Sequence, residues 1–258
     1  PSFVTMQGRR KSFTIMVALA VIASVVIVFN LGKMSASTSG RSLKSSSSNN
    51  KFGEAKIDTL SWSPRVFHYH GFLTPEECDH IVTLGTNDLV RSQVVGKDGK
   101  SVTNSHRTSF GTFMTKYMED PIVKGVEEKI AEWTFLPVEN GEIFYLLRYE
   151  NGQEYKPHTD WFRRDEDGNH FIGGAGQRVA TVLMYLSDVE EGGETYFPKV
   201  NLQVRPRKGD AVLFWDQTPD HQDDDMSLHG SKPVISGTKW SLTRWIREKP
   251  MSRFHERS

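Results

Sequence analysis

Residues 149–160 read YENGQEYKPHTD, and the chain can be ordered around the last three, His158-Thr159-Asp160. Side chains on an extended backbone alternate with a period of two, so His158 and Asp160 point to the same side. An imidazole nitrogen and a carboxylate oxygen are thereby placed to share one metal ion. A lone H-x-D carries little weight; it gains weight from Ser227-Leu228-His229-Gly230 and then Gly237-Thr238-Lys239-Trp240 downstream. Two His and one carboxylate form the facial triad that holds non-haem Fe(II) and leaves positions open. Lys239 is a cation suited to a dicarboxylate cosubstrate of that iron.

The bulk numbers exclude some alternatives. Lys plus Arg and Asp plus Glu are each 32 in 258 residues, so net charge gives no footprint for nucleic acid. The single cysteine, Cys78, excludes an intramolecular disulfide. It is expected to be a half-buried helix thiol. No helical H-E-x-x-H motif supports a zinc hydrolase.

The N-terminal part reads differently from the rest. Residues 1–12 carry Arg9-Arg10-Lys11, and residues 13–31 (FTIMVALAVIASVVIVFNL) run without a charge. Such a run makes a helix of about 28 Å, close to the hydrocarbon thickness of a bilayer. It is expected to be an uncleaved transmembrane signal anchor, since it exceeds the h-region of a signal peptide. The basic cluster places residues 1–12 in the cytoplasm by the positive-inside rule. Residues 32–56 are Ser-rich and too poor in apolar side chains to offset ordering entropy, which makes them a flexible stem. The catalytic domain is expected over 57–249 and a short tail over 250–258. The domain would lie in a lumen, in a single-pass type II arrangement in the endoplasmic reticulum or Golgi membrane. No N-x-Ser/Thr sequon is present.

Within 57–249 helices come first and strands follow. Residues 65–73 alternate like a strand. Residues 74–84 read as a helix with Thr74 as N-cap and Pro75 at the first position. Residues 97–100 read as a hairpin turn, 107–113 as a strand, and 120–134 as an amphipathic helix. Strands are then expected at 141–149, 178–186, 192–198, 202–206, 211–215 and 240–247, joined by Gly/Asp turns. Residues 163–167 and the acidic run around His221 read as solvated loops. The pattern is mainly β with supporting helices, in a β-sandwich or jelly roll.

Five blocks occur in order: YENGQEYKPHTD, RVATVLMYLSDVEEGGETYFP, KGDAVLFW, SLHGSKPV and GTKWSLTRWI. Together they resemble the 2-oxoglutarate-dependent prolyl 4-hydroxylases, in particular the short membrane-anchored type of plants and algae. The resemblance spans roughly residues 63–247. It implies a double-stranded β-helix (jelly roll) using Fe(2+), 2-oxoglutarate, O2 and L-ascorbate. It implies that His158, Asp160 and His229 hold the iron and that Lys239 takes the distal carboxylate of 2-oxoglutarate, helped by the hydroxyls of Thr195 and Tyr149. Arg107, Ser109, Glu142, Tyr155, Arg178 and Trp245 match positions near the family's peptide groove. The implied partner is a proline-rich polypeptide, whose polyproline II carbonyls are free to accept hydrogen bonds. Another substrate for the same oxygenase chemistry, or a catalytically silent prolyl-peptide-binding module, stays open at this level.

Two departures stand out. Ser231-Lys232 follows His229-Gly230 where relatives usually carry Cys, and Arg247 stands where a His is common. Neither is expected to touch iron or cosubstrate binding; Arg247 is expected to alter peptide preference.

Overall fold

The computed structural model describes residues 56–92, 94–95, 101–102 and 107–251. The expected tail, anchor and most of the stem lie outside these residues, as does the turn expected at 97–100. Among the described residues no helix is long and apolar enough to cross a membrane.

The chain opens with strands β1 (Lys56–Trp62) and β2 (Arg65–His70) and helix α1 (Pro75–Gly85). Three two-residue strands follow, β3 (Val90–Arg91), β4 (Val94–Val95) and β5 (Ser101–Val102), then β6 (Phe110–Phe113) and helix α2 (Pro121–Thr134). Next come β7 (Tyr145–Tyr149), β8 (Tyr155–His158), the short helix α3 (Glu166–Ile172) and β9 (Arg178–Tyr185). The strands β10 (Glu191–Gly192), β11 (Thr195–Phe197), β12 (Leu202–Val204) and β13 (Ala211–Trp215) lead to β14 (His229–Ser231), β15 (Val234–Ser236) and β16 (Lys239–Arg247).

An eight-stranded sheet runs β1-β2-β13-β9-β16-β7-β6-β3, and a four-stranded sheet runs β12-β11-β14-β8. All pairings within both sheets are antiparallel. The two sheets enclose an interior lined by Tyr185, Val212 and Phe214 from the large one and Phe197 and Val204 from the small one. This is the jelly-roll arrangement.

Period-two alternation sorts the central strands of the large sheet. On β9 the residues Ala180, Val182 and Met184 pack toward the helices, joining Leu146, Leu213 and Leu242 in one cluster with Cys78, Ile81, Val123, Val126 and Ile130. The alternate residues Thr181, Leu183 and Tyr185, with Tyr149 on β7 and Lys239, Ser241, Thr243 and Trp245 on β16, face the interior. β9 is covered on both faces, which is why its sequence is apolar throughout.

The helices are placed by their caps. Thr74 accepts the Glu77 amide (3.2 Å) and Glu77 accepts the Thr74 amide (2.9 Å), a capping box. Glu77 also receives Lys129 of α2 at 2.8 Å, tying the two helices. Asp120 accepts the amides of Ile122 and Val123, with Pro121 at the first helical position. Arg244, on the helix-facing side of β16, is buried against Glu127 of α2 and locks that helix to the sheet.

The expected helices are found and the strands are trimmed: the one expected at 141–149 begins only at Tyr145, the one expected at 192–198 is split between β10 and β11 in different sheets, and Cys78, expected half-buried, lies in the core. Residues 107–113 form a strand only from Phe110; Arg107 makes an isolated bridge to Tyr155. The loop expected at 163–167 turns into α3 at Glu166, because Phe171 stacks on Phe162 (5.4 Å) and gives that turn an apolar anchor. Cys78 is fully buried, and burial pushes its thiol up to about 11. Alkylation of the native protein at pH 8 should therefore run on the order of 10²-fold slower than for a free cysteine. Mass spectrometry of protein treated with iodoacetamide, with and without denaturant, checks this; fast native labelling contradicts it.

Candidate active site

β8 and β14 are antiparallel neighbours in the small sheet, and His158 is paired directly with His229. Their side chains therefore emerge on one face, with ring centroids 4.5 Å apart. Asp160 lies two residues past His158. The ligand atoms of the three residues lie within 4.8 Å of one another. Asp160 stands 3.5 Å from His158 Nε2 and 3.6 Å from His229 Nε2, too long for hydrogen bonds and close enough to close on one ion.

The ring orientations are fixed from behind. His158 Nδ1 donates to the Lys156 carbonyl (2.9 Å) and His229 Nδ1 to the Ser227 carbonyl (3.0 Å). Carbonyls only accept, so the protons sit on Nδ1 and the Nε2 lone pairs face Asp160. Burial, opposed by Asp160 and reinforced by His158, brings His229 down to about 4, so the ring is neutral at physiological pH. Burial alone would raise the Asp160 carboxyl; His229, His158 and Arg178 outweigh it and hold it well below the usual range. Two neutral imidazoles and one ionised carboxylate, with no thiolate near, fit ferrous iron.

Asp160 is itself supported. Thr181 Oγ1 lies 2.8 Å from Asp160 Oδ2 and 2.9 Å from Asp216 Oδ2. One hydroxyl proton cannot serve two carboxylates. Asp216 is fully buried, and burial, reinforced by the charge of Asp160, pushes its carboxyl far up. The consistent arrangement is a protonated Asp216 donating to Thr181, which donates to Asp160.

Beyond the triad, a narrow inner cavity is lined by Tyr149, Thr195, Ser231 and Lys239 among others. Lys239 is 1% exposed. Its Nζ donates to the Gly193 carbonyl (2.7 Å) and to Ser231 Oγ (2.8 Å), both neutral acceptors. Among the described residues no carboxylate lies within ion-pair distance of it. Burial accordingly lowers its amine to about 7. Thr195 Oγ1 accepts the Tyr185 hydroxyl at 2.8 Å. A buried cation without a counter-charge, ringed by hydroxyls and opening onto a metal cluster, fits an acid that reaches the metal with one end and Lys239 with the other.

An outer groove of about 780 Å³ meets the inner cavity at the cluster, since Arg107, Tyr155, His158, Asp160 and Trp245 line both. In it Arg178 donates to both oxygens of Glu142 (2.7 and 2.8 Å) and to the Asp160 carbonyl (3.3 Å). Its guanidinium lies over the Trp245 ring at 4.0 Å. Arg107 lies over Tyr155 at 4.6 Å, and Tyr155 stacks on His158 at 3.7 Å. Trp245 is 8% exposed, and its Nε1 is buried without a partner among the described residues.

The structure thus brings His158, Asp160 and His229 together, puts Lys239, Thr195 and Tyr149 in the inner cavity, and puts Arg107, Glu142, Tyr155, Arg178 and Trp245 in the groove. Ser109 is the exception. It is fully buried, with its hydroxyl 3.1 Å from Ser92 Oγ and against Tyr149, and lines neither cavity itself. His221, expected on a solvated loop, is an exposed loop residue outside the cluster. Sequence reasoning missed Thr181, Tyr185, Asp216 and Ser231. Thr181 and Tyr185 hide in an apolar run, where only alternation marks them as interior. Ser231, expected to leave cosubstrate binding untouched, instead lines the inner cavity and accepts from Lys239.

Fold and site define a class, and the comparisons agree. Residues 144–247 match the family model described as the 2OG-Fe(II) oxygenase superfamily. The chain is 48% identical over 230 residues to "Probable prolyl 4-hydroxylase 7" of Arabidopsis thaliana, covering 82% of this chain and 71% of that one. It is 44% identical over 214 residues to "Prolyl 4-hydroxylase 5" of the same organism, covering 75% and 72%. A solved viral collagen prolyl hydroxylase from Paramecium Bursaria Chlorella virus-1, as its 2OG complex, superposes with a TM-score of 0.56 at 28% identity, covering 70% of this chain and 95% of that one. The chain belongs to the prolyl 4-hydroxylase family of 2-oxoglutarate-dependent Fe(II) oxygenases.

Proposed function

We propose that this chain is a peptidyl-proline 4-hydroxylase acting on proline-rich polypeptides, with His158, Asp160 and His229 as the iron ligands and Lys239 as the anchor for 2-oxoglutarate. When bound, iron and 2-oxoglutarate supply the oxidation: O2 is consumed, 2-oxoglutarate leaves as succinate and CO2, and a ring C–H of proline becomes C–OH. The chain's own residues arrange this. The Nδ1–H bonds of the two histidines keep their Nε2 lone pairs aimed inward. Thr181 fixes one Asp160 oxygen, and Lys239, Thr195 and Tyr149 would hold the cosubstrate in the narrow inner cavity. The inner cavity is narrow and the groove is wide where they meet at the cluster, so the groove is the side from which a peptide would reach the metal.

The observation that carries the peptide reading is that aromatic and guanidinium side chains line the groove beside an unpartnered donor. Tyr155 and Trp245 line the groove, with the guanidinium groups of Arg107 and Arg178 laid over their rings. The Trp245 Nε1–H is buried with nothing to bond. A polyproline II segment has apolar rings and unpaired carbonyls, and a small shift of the Trp245 side chain on binding would let one carbonyl reach Nε1. Trp245→Phe keeps the ring and removes the donor. It should raise the KM for a proline peptide about tenfold, the worth of one buried hydrogen bond, and leave 2-oxoglutarate affinity unchanged. Steady-state kinetics with a polyproline peptide decides; an unaltered peptide KM removes the groove from this role.

The proposal includes the location expected from residues 1–56, a type II anchor with the catalytic domain in the endoplasmic reticulum or Golgi lumen. Its support is the charge-free run behind a basic cluster. Protease protection of sealed microsomes tests it, and digestion of the catalytic domain in intact vesicles would reverse the orientation.

A further inference from the structure

We propose a second metal site, built from His68, His70 and Asp210 with Asp58 behind it, that takes a divalent ion of the zinc type. His68 and His70 are two apart on β2 and so share a face. β1 pairs Asp58 with His68, and β13 pairs Val212 with His68, which brings the turn residue Asp210 alongside. The ligand atoms of His68, His70 and Asp210 lie within 4.8 Å of one another, and the two rings are 4.0 Å apart.

Three details distinguish this cluster from a chance gathering of polar side chains. The Asp210 carboxylate is oriented: Oδ1 accepts the Gly71 amide at 2.9 Å, and Oδ2 is left facing both rings. From Oδ2, His68 Nε2 stands at 2.8 Å and His70 Nδ1 at 3.5 Å. Ligands of one tetrahedral ion at bond lengths of about 2.0–2.1 Å stand about 3.3 Å apart, between these two values. Finally, His70 Nε2 donates to Asp58 Oδ2 at 2.8 Å. In the neutral ring that proton leaves Nδ1 as a lone pair directed toward Asp210 Oδ2, the atom a cation would share with it. Carboxylate, imidazole and metal in line is how proteins orient a histidine ligand.

Two imidazole nitrogens and one carboxylate oxygen with no thiolate suit a borderline ion such as Zn(II) or Co(II), with water in the fourth position. Access is open, because the His70 side chain is 30% exposed and Asp58 41%, while His68 and Asp210 form the buried floor. A bound ion would pin the β1–β2 hairpin, at the edge of the large sheet, to the turn before β13. The site uses no residue of the catalytic cluster.

The test separates the two sites. A metal-stripped His158→Ala/His229→Ala variant is titrated with Co(II) and followed by its visible d–d absorption. One saturable equivalent is expected. It should vanish when His70→Gln is added, and Asp58→Asn should weaken it about 10–100-fold. Absence of a saturable signal, or a signal indifferent to His70→Gln, overturns the site and leaves a plain His–Asp hydrogen-bond network. An independent reading comes from the otherwise unaltered chain carrying catalytic iron and supplied with Zn(II). Elemental analysis should find two ions per chain, and one after His68→Gln/His70→Gln, with hydroxylation by that variant, assayed with iron and no added zinc, as proof of folding. One ion per chain before substitution also overturns the site.

Discussion

His229→Ala is expected to abolish turnover and to strip the protein of tightly held iron, the largest effect of any single change. His229 supplies one of three protein donors, and its removal leaves only His158 and Asp160 to hold the ion. With the ring gone, Phe214 and Phe197, which pack against it at 4.4 and 5.8 Å, border a cavity where a ligand stood. Iron content after dialysis, measured beside succinate formation, reads both consequences. Full iron retention with normal succinate formation would remove His229 from the metal centre. His158→Ala should behave alike, whereas His221→Ala should leave both readouts alone, since that residue sits on the exposed loop.

The second large effect concerns Lys239. Lys239→Ala should raise the KM for 2-oxoglutarate on the order of 10²–10³-fold, because truncating one partner of a buried ion pair costs about 3–5 kcal/mol. The peptide KM should move little. A pH dependence follows from the same residue. In the empty protein burial brings the amine down to about 7. A carboxylate binds the ammonium form, so the loaded protein holds the proton to higher pH. Below pH 7 the 2-oxoglutarate affinity is flat. Above it, binding must take up a proton, and affinity falls by up to tenfold per pH unit until the loaded protein also deprotonates. Isothermal titration of the iron-loaded protein between pH 6 and 9 reads affinity and proton uptake together. A flat profile, or an unchanged KM in the alanine variant, would place the cosubstrate elsewhere.

Legibility in the sequence followed the distance over which a residue's role is decided. His158 and Asp160 are two apart on an extended segment, and backbone geometry alone puts them on one side. The caps of α1 and α2, Thr74 and Asp120, are local as well. His229 became a ligand candidate only through an ordered series of blocks; the fact that makes it one, its cross-strand pairing with His158, is a matter of register. Roles set by long-range contacts stayed hidden. Ser231 looks like a substituted cysteine until Lys239, from the next long strand, arrives at 2.8 Å. Thr181 and Asp216 are 35 residues apart and meet only when β9 and the segment after β13 lie side by side. Ser109 went the other way: it adjoins groove residues in sequence, but the interior took its side chain. His68 and His70 read simply as strand alternation, since Asp210 reaches them from 140 residues on.

The central claim is that one iron site couples 2-oxoglutarate breakdown to oxidation of a proline ring. The direct measurement is a count of products from residues 56–251 supplied with Fe(II), ascorbate, 2-oxoglutarate, O2 and a polyproline peptide. Succinate is quantified, and the peptide is weighed by mass spectrometry. The account predicts one oxygen gained on proline for each succinate formed, and neither product from the His158→Ala variant. Succinate formed while the peptide mass stays unchanged would contradict the substrate, and no succinate from iron-loaded protein would contradict the chemistry itself.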